Sequence, residues 1–154
     1  MKDSSTILST NSISHQNKVP ANSTSLDESR KPVVLVIDDD KRIIESFRFL
    51  LESESCSMVE ASNSEEVIEK IKGKQIDLVI TDFMLKTKSS IELFTLIRKA
   101  NPNTPIVVMT GYPELISSTD IKMFGGNHLM TKPLELTKLR GIIRSYCNPL
   151  HVMN

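Results

Sequence analysis

The polar residues that could do chemistry each follow an apolar run. "VVLVIDDD" (33–40) carries five aliphatic residues into Asp38, Asp39 and Asp40. "DLVITD" (77–82) ends on Asp82, "PIVVMT" (105–110) on Thr110, and "NHLMTK" (127–132) on Lys132. Consecutive carboxylates repel one another unless a cation, a proton or solvent relieves them. One reading is a solvated turn with an aspartate capping the next helix. The other is a divalent-metal site, because hard dications take carboxylate oxygens. A further acid, a hydroxyl and an ammonium suit a phosphoryl group held beside such a metal, where negative charge must be neutralised. Taken singly, Asp82 reads as the start of a turn, Thr110 as a helix cap and Lys132 as a loop cation. Their common place, after successive apolar runs, is what joins them into one pattern.

For these side chains to meet, the apolar runs must be neighbouring strands. β-branched runs without polar alternation read as strands covered on both faces, as in a parallel sheet. Strands are expected at Val33–Ile37, Ser57–Ala61, Asp77–Thr81, Pro105–Met109 and Asn127–Met130. Helical patterns lie between them. The first turns Ile43, Phe47, Leu50 and Leu51 to one face, with Asp40 as its cap. The second is capped by Asn63 or Ser64, turns Val67, Ile68 and Ile71 inward and stops at Gly73. The third starts near Ser89, with Leu93, Phe94 and Ile97 inward, and breaks at Asn101-Pro102. The fourth is expected over about Pro113–Phe124, although Ser117-Ser118-Thr119 interrupts its stripe. The fifth carries Leu136, Leu139, Ile143 and Tyr146. Such alternation argues an α/β fold, doubly wound, with helices on both faces of a parallel sheet. In that architecture ligands sit beyond the carboxyl ends of the strands, where the acids, Thr110 and Lys132 fall.

Bulk properties narrow the classes. The chain has 154 residues, and its 19 basic and 19 acidic residues cancel, so composition gives no sign of direct nucleic-acid binding. Apolar runs are too short to span a bilayer, and no apolar stretch follows Lys2 as a secretory signal requires. A soluble, cytoplasmic protein is expected. Cys56 and Cys147 form no CxxC motif; reduced thiols are expected, with a disulfide between them left open. Residues 1–30 are rich in Ser, Thr and Asn, and their apolar residues follow no period, so they read as a disordered tail. The compact domain is expected over 31–148, followed by a short tail at 149–154.

The motifs "VLVIDDD" (34–40), "DLVITDFML" (77–85), "VVMTG" (107–111) and "TKP" (131–133) resemble, in order and spacing, those of the receiver domain of two-component response regulators. The resemblance covers about residues 32–147. It implies a flavodoxin-like (βα)5 sandwich with a five-stranded parallel sheet of order 2-1-3-4-5. It implies that Asp82 is the phosphoacceptor, taking a phosphoryl group from a phosphohistidine on a histidine kinase or a phosphotransfer protein. Mg²⁺ (or Mn²⁺) would be held by Asp39, Asp82 and the backbone carbonyl of Met84, and by Asp38 through water. Lys132 would pair with Asp82 at rest and with the phosphoryl oxygens afterwards, and Thr110 would donate its hydroxyl to them. The Lys132–Pro133 peptide would be cis. Such a domain is not an enzyme beyond its own phosphorylation and dephosphorylation. A downstream target protein, read through the fourth helix, fifth strand and fifth helix, is expected; a homodimer through the same face is the further partner that the resemblance allows. The domain is expected to stand alone.

The sequence departs from the family pattern at three places. Lys86 stands where Pro is usual and Ser90 where Gly is frequent, changes that touch the loop after Asp82. Leu129 occupies the output-switch position, usually Tyr or Phe, and has no ring to rotate. His128 does not replace that ring, because strand alternation points it to the opposite face. Like His15, it is expected at the surface or in the tail. Met84 and Tyr112, two positions beyond Asp82 and Thr110, would flank the mouth of the site and hinder an attacking water. Two rival readings follow. One is a receiver-fold interaction module that works without phosphorylation. The other is a phosphatase of the haloacid-dehalogenase type with Asp38 as nucleophile; Arg42 and the unemployed Asp82 weigh against it. An EF-hand is excluded, because the acidic run lacks the central Gly and the closing bidentate Glu.

Overall fold

In a computed structural model, residues 30–86 and 89–149 are described. The elements alternate along the chain as β1 (Val33–Ile37), α1 (Lys41–Ser53), β2 (Ser57–Ala61), α2 (Ser64–Ile71), β3 (Leu78–Asp82), α3 (Ser90–Ala100), β4 (Ile106–Thr110), α4 (Ser118–Met123), β5 (His128–Thr131) and α5 (Leu136–Cys147). All strand pairings are parallel, and the sheet runs β2-β1-β3-β4-β5. This is the doubly wound order expected above. The 1–30 tail lies outside the described residues except for Arg30, whose guanidinium donates to both carboxylate oxygens of Asp77 at 2.9 and 3.0 Å.

Strand alternation divides the core into two layers. Val34, Val36, Leu78, Ile80, Val107 and Met109 face α1 and α5, meeting Phe47, Leu51, Leu139 and Ile143. Leu35, Ile37, Val79, Ile106 and Val108 face the other way, toward Val67 of α2, Phe94 and Ile97 of α3 and Ile121 of α4. Both faces of the central strands are therefore apolar, which is why their sequences show no period of two.

The caps are local. Asp40 accepts from the Arg42 amide, Asn63 from Glu66 and Ser89 from Glu92. Gly73, just past the end of α2, has φ +65°, the left-handed conformation that glycine adopts without steric cost. One expectation is corrected. The fourth helix begins at Ser118, not near Pro113, because Ser117 and Asp120 close a reciprocal capping box there. Leu136, the first residue of α5, is exposed, while Leu139 enters the core.

Candidate functional site

Register brings the acids together. Ile37 lies opposite Thr81 in the β1–β3 ladder, so the next residue of each strand, Asp38 and Asp82, emerges side by side at the carboxyl edge. Asp38 is anchored by its amide, which donates to the Ala61 carbonyl at 3.1 Å, and its carboxylate accepts the Asp40 amide at 2.8 Å. Asp82 Oδ1 accepts the Met84 amide at 3.3 Å, which holds the backbone of Met84 against it. One carboxylate oxygen from each of Asp38, Asp39 and Asp82 lies within 4.8 Å of the others. Asp40 stands apart: it caps α1 and pairs with Arg42.

Lys132 enters from the far side. Its amide donates to the Thr110 carbonyl at 2.7 Å, and its Nζ lies 3.3 Å from Asp38 Oδ2 and 3.5 Å from Asp82 Oδ1. The ammonium thus spans two carboxylates, where the resemblance implied Asp82 alone. The Lys132–Pro133 peptide is cis. Thr110, fully buried, ends β4 opposite Thr131, and its Oγ1 accepts the Tyr112 amide at 3.0 Å.

One ammonium among these three acids leaves negative charge in excess. Burial pushes the Asp82 carboxyl up from its ordinary value; Lys132 opposes this and the Asp38 charge adds to it. Asp39 Oδ2 is buried with no hydrogen-bond partner. An orphaned anionic oxygen facing two further carboxylates is the donor set of a hard dication that keeps part of its water shell. The residues present fit Mg²⁺ or Mn²⁺.

Around this centre, Met84 and Tyr112 are about half exposed, at 51% and 53%. A groove of about 660 Å³ runs from Asp38 and Asp39 between α1 and the turn after β2, edged by Arg48, Glu60 and Lys86. Ser90, where the family often has Gly, donates its hydroxyl to the Phe83 carbonyl and so ties α3 to the loop after Asp82. Sequence reasoning did not find that tie, although a serine at the first position of a helix was a visible signal. Leu129 is half-buried and packs in the layer that includes Val108, Ile116 and Ile121. His128 faces the opposite way, as alternation required. It is not a plain surface residue: its Nε2 lies 2.8 Å from the Tyr146 hydroxyl of α5, and burial, with Lys138 and Lys122 nearby, holds its pKa below the ordinary value.

The family model for the response regulator receiver domain matches residues 34–144. The chain belongs to that family. Among curated proteins, it is 29% identical over 111 residues to the transcriptional regulatory protein GlrR of Escherichia coli, covering 70% of this chain and 24% of that one. It is 29% identical over 114 residues to the transcriptional regulatory protein YvrH of Bacillus subtilis, covering 73% of this chain and 48% of that one. The receiver thus spans a quarter to a half of the length of these relatives. A crystal structure of a two-component response regulator from Clostridium difficile superposes with a TM-score of 0.68 at 29% identity, covering 80% of this chain and 99% of that one. No described helix of the receiver is long and apolar enough to cross a membrane.

Proposed function

We propose that the receiver accepts a phosphoryl group on Asp82 from a phosphohistidine of a histidine kinase or phosphotransfer protein, and passes the signal on through protein–protein contacts. The observation that carries this reading is the carboxylate cluster of buried Asp38 and Asp82 and half-buried Asp39, with the Lys132 ammonium beside Asp38 and Asp82. A carboxylate oxygen of Asp82 attacks phosphorus, the P–N bond breaks, and its electron pair leaves with the imidazole nitrogen. Asp38, Asp39, Asp82 and the Met84 carbonyl would hold Mg²⁺ or Mn²⁺. When bound, the dication neutralises charge on the transferring group. Lys132 stands where its Nζ can turn from Asp82 to the new phosphoryl oxygens. The Thr110 hydroxyl accepts the Tyr112 amide and keeps its own proton for donation to the same group. The chain's chemistry is limited to its own phosphorylation and dephosphorylation, and its setting is the cytoplasm, where kinase and target are met.

The test is incubation with acetyl phosphate and Mg²⁺, read by intact mass. The wild type is expected to gain one phosphoryl group and Asp82→Asn none. Equal labelling of both forms would reject Asp82 as the acceptor, and labelling lost only on Asp38→Asn would favour the haloacid-dehalogenase chemistry.

Leu129 favours a second reading, an interaction module that binds its partner without phosphorylation, because a half-buried aliphatic side chain offers no rotating ring to report on Thr110. A partner pull-down with wild type and Asp82→Asn, each with and without acetyl phosphate, separates the two. Capture that changes only for phosphorylated wild type supports the switch, and equal capture throughout supports the module. A homodimer through α4, β5 and α5 would appear in the same samples as a phosphorylation-dependent change in mass by light scattering.

A further inference from the structure

The chain's two cysteines meet at the edge of the sheet away from the acids. Cys56 precedes β2 and Cys147 closes α5. Both are free thiols, each 7% exposed, in the core layer shared by α1 and α5. The contacts around them hold the two segments together. Glu54 accepts from Arg140 Nη1 and Arg144 Nε of α5, both at 2.8 Å. The Asn148 side-chain amide donates to the Glu54 carbonyl at 3.5 Å, and the Cys56 thiol reaches the same carbonyl at 3.5 Å. Ser55, with φ +58°, makes the turn that returns the Cys56 amide to the Leu51 carbonyl at 2.9 Å. The Glu54 carbonyl is thus approached from both segments, and each thiol shifts the other's pKa, that of Cys56 down and that of Cys147 up.

We propose that Cys56 and Cys147 form a dithiol redox site, which a peroxide-class oxidant closes to an intramolecular disulfide that fixes the end of α5 to the α1–β2 turn. Whichever of the two thiols is deprotonated first is the nucleophile. Its sulfur attacks one peroxide oxygen, the O–O bond breaks, and a sulfenic acid and water result once the leaving hydroxide takes a proton. The sulfur of the other cysteine then attacks the sulfenic sulfur, the S–O bond breaks, and a second water leaves. Two thiols lose two electrons and two protons, and one peroxide is reduced to two waters. The chain has no other cysteine, so each thiol has a single possible partner within the molecule. Among the described residues, the only cluster of three or more metal-ligating side chains is the acidic one, so a metal is the weaker use of this pair. The disulfide lies at the amino end of β2, away from Asp82. It therefore restrains α5 without entering the chemistry of the acids.

The test uses the full chain, reduced and then treated with hydrogen peroxide or, separately, diamide at neutral pH. Remaining thiols are trapped with N-ethylmaleimide in denaturant and the products read by intact mass and non-reducing gel. The expected product is a monomer lighter by two hydrogens that takes no maleimide and is restored by dithiothreitol. Closing so long a loop should raise its melting temperature by about 5 °C or more. Cys147→Ala should leave Cys56 without the monomeric cross-link. The wild-type arm decides even if that variant folds poorly. Two thiols that still take maleimide after excess oxidant, a covalent dimer as the oxidised product, or an oxidised monomer that melts lower would each overturn the proposal.

Discussion

Tyr112 and Met84 stand two positions beyond Thr110 and Asp82, and both are about half exposed. Neither side chain is a general base at neutral pH, so their effect on an attacking water is steric. Tyr112→Ala should speed loss of the phosphoryl group from Asp82 about fivefold, equivalent to about 1 kcal/mol in the barrier; an unchanged rate measured by phosphate release would reject steric shielding. Asp82 also has a role in stability. Its folded-state pKa is raised, chiefly by burial, so the native state disfavours the charged form. For an acid the sign is then negative above the folded pKa: ionised Asp82 lowers stability at neutral pH, and the penalty fades as acid protonates it. Asp82→Asn should therefore raise the melting temperature of the metal-free protein at pH 7, and the gain should shrink when Mg²⁺ is added. A variant that melts lower than wild type without metal would contradict this reading of the charge cluster.

The helix after β4 shows where elements were legible and where they were not. Strands β1, β3 and β4 could be read to within a residue, because unbroken β-branched runs have no competing helical pattern. The fourth helix could not, because Ser117, Ser118 and Thr119 are all chemically fit to cap, and only the folded chain shows Ser117 accepting from Asp120 while Asp120 accepts from Ser117 at 2.9 Å. A six-residue helix is too short to be stable by itself, so α4 rests on that box and on buried Ile121. Ser117→Ala should cost about 1 kcal/mol and raise hydrogen-exchange rates over 118–124 above those of the other helices; exchange that rises evenly across the domain would show that the cap does not act locally. Arg98 holds the neighbouring turn, donating from Nε to the Gly125 carbonyl at 3.1 Å and from Nη2 to the Asn127 side chain at 3.1 Å.

Across the whole molecule, the site was legible because a parallel sheet delivers every strand end to one edge, so residues far apart in sequence could be grouped without knowing a single distance. Contacts between helices carry no such rule. Glu54, unremarkable in sequence, ties the end of α1 to α5 through Arg140 and Arg144. Their guanidinium groups, Arg144 first, hold its carboxyl below the ordinary carboxylate range against the opposing effect of burial. A depressed folded-state pKa means that the ionised side chain contributes stability above its unfolded pKa and loses it as pH falls through the folded value. Glu54 is buried, but its partners are 36% and 44% exposed, and water screens part of the attraction. Glu54→Gln should then cost about 1–2 kcal/mol at pH 7, below the range for breaking a wholly buried pair. The gap between the two melting temperatures should stay constant from pH 7 down to the ordinary carboxylate range and close below it. A gap that persists in strong acid would mean that Glu54 acts through shape and neutral hydrogen bonds, and that charge is not what joins α1 to α5.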